Sequence, residues 1–124
     1  MREKSILVVE DSPTELKLLT TLLEGCGYHY TTATDGEEAL QKAIQQKPDL
    51  MLLDVILPKR SGFQVCRQLK TSPETKSIKI IVVSSKNQES DRYWGLKQGA
   101  DAYLFKPVKQ EELLSVIAEQ LASK

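Results

Sequence analysis

"ILVVEDSPTE", residues 6–15, changes character twice within ten positions. The apolar run Ile6 to Val9 is short, continuous and rich in β-branched residues, which fits a buried strand. Glu10 and Asp11 then interrupt it. Ser12-Pro13-Thr14-Glu15 follows with an N-cap serine, a proline at the first helical position and a glutamate placed for a capping box. A strand that passes through two acids straight into a helix is the first unit of an alternating α/β chain.

The alternation continues along the 124 residues. Further apolar runs at Tyr30 to Ala33, Leu50 to Leu53, Ile80 to Val83 and Ala102 to Phe105 predict four more strands. Between them, Leu16, Leu19, Leu23 and Cys26 share one helical stripe, as do Leu40, Ala43 and Ile44. Phe63 to Leu69, residues 89–98 and Leu113 to Leu121 complete five helices, with Asp35 and Ser61 as caps of the second and third. Strands that are apolar without interruption, rather than alternately, are those covered on both faces, so the sheet is parallel. The expected fold class is α/β: a flavodoxin-like (βα)5 doubly wound sheet of five parallel strands in the order 2-1-3-4-5.

Cys26 and Cys66 lack metal-ligand spacing and are expected as reduced thiols packed in the core. Leu96 is the expected inward anchor of the fourth helix. Residues 71–77 read as a surface loop, and His29 as a surface residue in the loop before strand two. No repeat or linker interrupts the chain, so residues 1–124 are expected to form a single domain with no output module.

Lys plus Arg and Asp plus Glu both number 17. That balance offers no strong positive field for direct binding of nucleic acid or an anionic membrane. The apolar runs fall far short of a membrane span and residues 1–4 lead into no signal-peptide core, so membrane insertion is not expected and a cytoplasmic, soluble protein is.

Charged and hydroxyl side chains gather at the carboxyl ends of the strands, where open α/β sheets place their ligand sites. Strand one runs into Glu10-Asp11, strand three into Asp54, strand four into Ser84 and strand five into Lys106-Pro107. If strands one and three are neighbours, as the order 2-1-3-4-5 makes them, their ends are about 5 Å apart and like charges there repel by about 3 kcal/mol at an effective dielectric of about 20. Lys106 supplies one relieving charge. An oxygen-only cluster that keeps room for water also suits Mg²⁺, with Mn²⁺ as a substitute. An ionised carboxylate beside Mg²⁺ and lysine needs no general base to attack phosphorus, which makes Asp54 the candidate phosphoacceptor.

"VVEDSP", "LLDVILPKRSG", "VVSSK" and "GADAYLFKP" together resemble the defining motifs of the receiver domain of two-component response regulators, across essentially the whole chain. The resemblance implies that Asp54 accepts a phosphoryl group from a histidine kinase or its phosphotransfer domain. It also implies Mg²⁺ held by Glu10, Asp11, Asp54 and the Ile56 backbone carbonyl, and phosphoryl contacts from Ser84 and Lys106. Ser84 and Tyr103 are the implied switch, which signals a downstream target protein through the face formed by helix four, strand five and helix five. Tyr93, Trp94 and Lys97 are its candidate contact residues. Ile56 and Lys86 are implied to flank the path of water to the phosphoryl group, and neither can accept a proton from that water as an acid would. The chain is accordingly expected to be a signalling phosphoacceptor, not an enzyme acting on other substrates, and to lose its phosphoryl group slowly. Glu10 stands where the commonest family pattern has aspartate. "SDRYWGLKQGADAYLFKPV", residues 90–108, is especially similar to single-domain chemotaxis-type regulators, including those of type IV pilus twitching motility.

Three alternatives conflict with the same residues. A phosphatase of the haloacid dehalogenase type requires a second acid two residues after the nucleophile, where Ile56 stands. A flavodoxin-like cofactor binder needs a Ser, Thr and Gly-rich phosphate loop after strand one, where "EDSP" presents negative charge. A degenerate receiver acting only as a phosphorylation-independent interaction module is argued against by the intact acid, hydroxyl and lysine set.

Overall fold

The computed structural model describes residues 4–122. Its elements are β1 (Ser5–Val9), α1 (Pro13–Gly25), β2 (His29–Ala33), α2 (Gly36–Gln46), β3 (Leu50–Leu53), α3 (Gly62–Thr71), β4 (Lys79–Ser84), α4 (Glu89–Lys97), β5 (Ala102–Phe105) and α5 (Gln110–Ala122). The strands form one parallel sheet in the order β2-β1-β3-β4-β5. This is the expected order, with β1 and β3 adjacent.

Successive side chains on a strand point to opposite faces, and here both faces are apolar. Ile6, Val8, Leu50, Leu52, Ile81 and Val83 pack with Leu19 and Leu23 of α1 and with Leu113 and Ile117 of α5. Leu7, Val9, Met51, Leu53, Ile80 and Val82 pack on the other side with Ala39, Leu40 and Ala43 of α2 and with Val65, Cys66 and Leu69 of α3. Two cores therefore sandwich the sheet.

Several expectations need correction. Cys26 lies beyond the last residue of α1, as its C-cap, so its side chain leaves the helical stripe and is exposed. Cys66 is buried as expected, and burial pushes its thiol up to about 12. Ile44 is exposed because α2 rests on the sheet through Gly36, Ala39, Leu40 and Ala43, which puts position 44 on the flank. His29 is the first residue of β2, paired with Ser5, although it is at the surface as expected. The segment after α3 is not wholly superficial: Thr75 is 1% exposed, and its hydroxyl donates to the Leu69 carbonyl at 2.8 Å.

Leu96 is exposed, and the inward position on α4 belongs to Gly95. A Cβ at Gly95 would stand 2.7 Å from Cδ2 of Tyr103, so the missing side chain is what lets the buried Tyr103 ring lie beneath the helix. A second close approach shapes the site itself. The N–H of Gly62 donates to the Val55 carbonyl at 2.8 Å, and a Cβ on Gly62 would fall 2.1 Å from the Asp54 carbonyl oxygen. The start of α3 is thus pressed against the main chain that carries Asp54. Gly62→Ala should destabilise the fold by about 1–3 kcal/mol, the usual cost of overpacking, measured as a lower urea midpoint. An unchanged midpoint would show that the α3 start can move off this chain freely.

Candidate functional site

Strand register builds the site. Val9 of β1 pairs with Leu53 of β3, so the next residues, Glu10 and Asp54, emerge at the same level. Their backbones are tied down: Glu10 N–H donates to the Ala33 carbonyl at 3.0 Å, and Asp54 N–H to the Val9 carbonyl at 3.1 Å. Two strands along, the Lys106 N–H donates to the Ser84 carbonyl at 2.9 Å, which carries Lys106 to the same edge.

There the Lys106 ammonium donates to Glu10 Oε1 at 2.6 Å, to Asp54 Oδ2 at 3.1 Å and to Glu15 Oε2. An ammonium has three N–H donors, and all three are engaged. Glu10 and Asp54 are 2% and 7% exposed. Burial pushes the Glu10 carboxyl above its ordinary range and the Asp54 charge adds to this, while hydrogen bonds from Lys106 and the Ser12 N–H oppose it. Burial acts on Lys106 in the sense of favouring neutral amine, but the hydrogen bonds to Glu10 and Glu15, with the Asp54 and Glu10 charges, outweigh it and hold its pKa above the ordinary value. The other Asp54 oxygen, Oδ1, accepts the Ile56 N–H at 3.3 Å.

Glu10, Asp11, Ser12, Glu15, Asp54, Ile56, Ser85, Lys106 and Pro107 line an open cavity of about 460 Å³. Among the described residues, oxygens of Glu10, Glu15 and Asp54 lie within 4.8 Å of one another. Asp11, expected as a metal ligand, is exposed at the rim of the same cavity. Glu15 was missed. Its position matches a capping box, but only half of one forms: its N–H donates to Ser12 Oγ at 3.5 Å, while the Ser12 N–H goes to Glu10 Oε2 at 3.0 Å. The Glu15 carboxylate is left for Lys106. Three carboxylates facing one cavity are a hard, oxygen-only donor set of the kind Mg²⁺ takes.

Ser84 is fully buried and its hydroxyl accepts the Lys86 N–H at 3.2 Å; Ser85 lines the cavity in its place. Tyr103 donates its hydroxyl to the Lys86 carbonyl at 2.9 Å and packs edge-on to Phe105. Burial keeps the Tyr103 phenol above its ordinary pKa. The main chain of Lys86 is therefore held at its N–H by Ser84 and at its carbonyl by Tyr103. Ile56 is 54% exposed at the mouth, and the Lys86 side chain is exposed as well. On α4, Lys97 reaches the Tyr93 hydroxyl at 3.5 Å, and Trp94 borders a groove with Ser61, Phe63, Gln64, Arg67 and Gln98, toward α3.

A buried acid at the end of the third strand is thus faced by a lysine from the end of the fifth and by acids from the end of the first strand and the start of α1. Residues 6–118 match the response regulator receiver domain, and the chain belongs to that family. It is 46% identical to Protein PilH of Pseudomonas aeruginosa over 117 residues, covering 94% of this chain and 97% of that protein. It is also 46% identical to the alkaline phosphatase synthesis transcriptional regulatory protein PhoP of Bacillus subtilis, covering 89% of this chain but 45% of PhoP. The receiver domain of the P. aeruginosa sensor histidine kinase PA1611, solved with a magnesium ion coordinated in its active site cleft, superposes with a TM-score of 0.91 at 30% identity, covering 98% of this chain and 100% of that one. No helix among the described residues is long and apolar enough to cross a membrane.

Lys106 carries charge that the two buried acids cannot do without. Lys106→Met should cost about 3–5 kcal/mol in metal-free solution, the usual penalty for stripping a partner from buried charges. Because the lysine's pKa is raised on folding, the stabilisation it provides is present in full below the unfolded lysine pKa and fades only as pH rises through the folded value. Urea denaturation at pH 7 measures the loss; equal midpoints would show that the ammonium does not hold the acids.

Proposed function

We propose that this chain is a phosphoacceptor receiver in which Asp54 takes a phosphoryl group from a phosphohistidine of a histidine kinase or its phosphotransfer domain. The observation that carries this reading is the Asp54 carboxylate, nearly buried yet opening on the cavity, with Oδ2 on Lys106 and Oδ1 on the Ile56 N–H. An Asp54 oxygen forms the bond to phosphorus as the bond to the donor imidazole nitrogen breaks, and the imidazole leaves with the electron pair. Lys106 moves from carboxylate to phosphoryl oxygen and neutralises charge gathering there.

Glu10, Asp11, Asp54 and the Ile56 backbone carbonyl would hold Mg²⁺, or Mn²⁺ in its place. When bound, the ion neutralises charge on the phosphoryl oxygens. The chain's own catalysis is confined to its phosphorylation and slow autodephosphorylation. Residues 1–124 act as a single receiver in this reading, in the cytoplasm and without direct contact with nucleic acid.

The switch runs through Ser84 and Tyr103. A phosphoryl oxygen that recruits the Ser84 hydroxyl withdraws it from the Lys86 N–H, and the carbonyl of the same residue is the acceptor of the Tyr103 hydroxyl. Phosphorylation then biases two arrangements of this loop and ring, changing the α4-β5-α5 face for a target protein. Tyr93, Trp94 and Lys97 are the contact residues on that face. The near full-length likeness to PilH supports a place among single-domain chemotaxis-type regulators of pilus motility.

Incubation with a small phosphodonor and Mg²⁺, followed by intact mass, should add one phosphoryl group to the wild type and none to folded Asp54→Asn. Undiminished labelling of that variant would mean that another residue is the acceptor. Water must reach phosphorus in line with the Asp54 oxygen, past Ile56 and Lys86, and neither side chain serves as a base. Ile56→Asn should speed phosphate release severalfold, because an amide can orient the attacking water. Release kinetics unchanged or slower in the variant would show that the rim does not gate water.

A further inference from the structure

Glu15 differs from the other two partners of Lys106 in its access to solvent. Its side chain is 40% exposed, against 2% for Glu10 and 9% for Asp54. All three N–H donors of the ammonium are engaged, so an arriving phosphoryl oxygen has to displace one carboxylate. Releasing Glu10 would leave a charge stranded in the interior, whereas Glu15 on release is rehydrated at once. It is also the only partner of the three with no other hydrogen bond to its carboxylate among those described: Glu10 keeps the Ser12 N–H and Asp54 the Ile56 N–H.

We propose that Glu15 is a positioning residue: it occupies the third donor of Lys106 before phosphorylation, is exchanged for a phosphoryl oxygen, and by that competition slows phosphoryl acceptance. The inference rests on Asp54 being the acceptor. Glu15 touches neither donor nor phosphorus in this scheme; it acts through the lysine. It comes from the first turn of α1, so the rate of the reaction is tied to where that helix begins.

The test compares wild type, Glu15→Gln and Glu15→Asp, labelled with acetyl phosphate at saturating Mg²⁺. Glu15→Gln removes charge and the ionic bond, while Glu15→Asp keeps the charge but shortens the arm so that the contact is lost. Both should label faster than wild type, by roughly two- to five-fold, the rate equivalent of a partly exposed ion pair. The gain should appear at low phosphodonor concentration and persist in 1 M salt, where the Debye length is about 3 Å and only direct contact survives. The Lys106 ammonium NMR signal should move in both variants before any donor is added. Faster labelling by Glu15→Gln alone, with Glu15→Asp like wild type, would overturn the proposal in favour of a general field effect. Equal or slower rates in both, or an unmoved ammonium signal, would overturn it outright. A wild type that takes no label at all would instead remove the Asp54 reading on which the proposal rests.

Discussion

The ammonium of Lys106, shared among Glu10, Glu15 and Asp54, is the interaction around which the carboxyl edge of the sheet is organised. Two acids from neighbouring strands are buried side by side, an arrangement that a low-dielectric interior tolerates only with a cation between them. That cation comes from β5, on the far side of β4. The lysine reaches its partners only if β1, β3, β4 and β5 end in register, and the pairings Val9 with Leu53, Leu53 with Val82 and Ser84 with Phe105 provide this. The pocket is thus a property of the whole sheet, which is why its residues come from 10, 15, 54 and 106 in the chain.

The central strands β1, β3 and β4 and the polar residues at their ends are legible because two-sided burial leaves a signal that few other arrangements leave. Four apolar residues followed by an acid, a hydroxyl or a lysine recur at the ends of β1, β3, β4 and β5, and the structure brings those ends to one edge. Burial of an acid reads in sequence as incongruity, and Asp54 within "MLLDVILP" is incongruous.

What escaped the sequence has physical causes that can be named. Glu15 in "SPTE" has a complete local explanation as a capping residue, and nothing in that short range points to a partner 91 positions away. Leu96 reads as the inward anchor because hydrophobicity marks the inward face of most helices, whereas α4 is seated by the absence of a side chain at Gly95 over Tyr103. Cys26 fits the helical stripe by spacing but lies one residue past the point where α1 stops, and Gly27, at φ 78°, turns the chain there. Thr75 looked like loop polarity but spends its hydroxyl on the end of α3.

Because side chains alternate across the strands, the two cores touch only through the backbone of the sheet: α1 and α5 have one, α2 and α3 the other. A volume change in one layer meets no side chain of the other. Each layer is free to vary as a separate compartment, its outer surface remodelled residue by residue, while the sheet keeps the carboxyl edge in register. A domain partitioned this way can diversify what it recognises on either flank without renegotiating the geometry of the pocket they share.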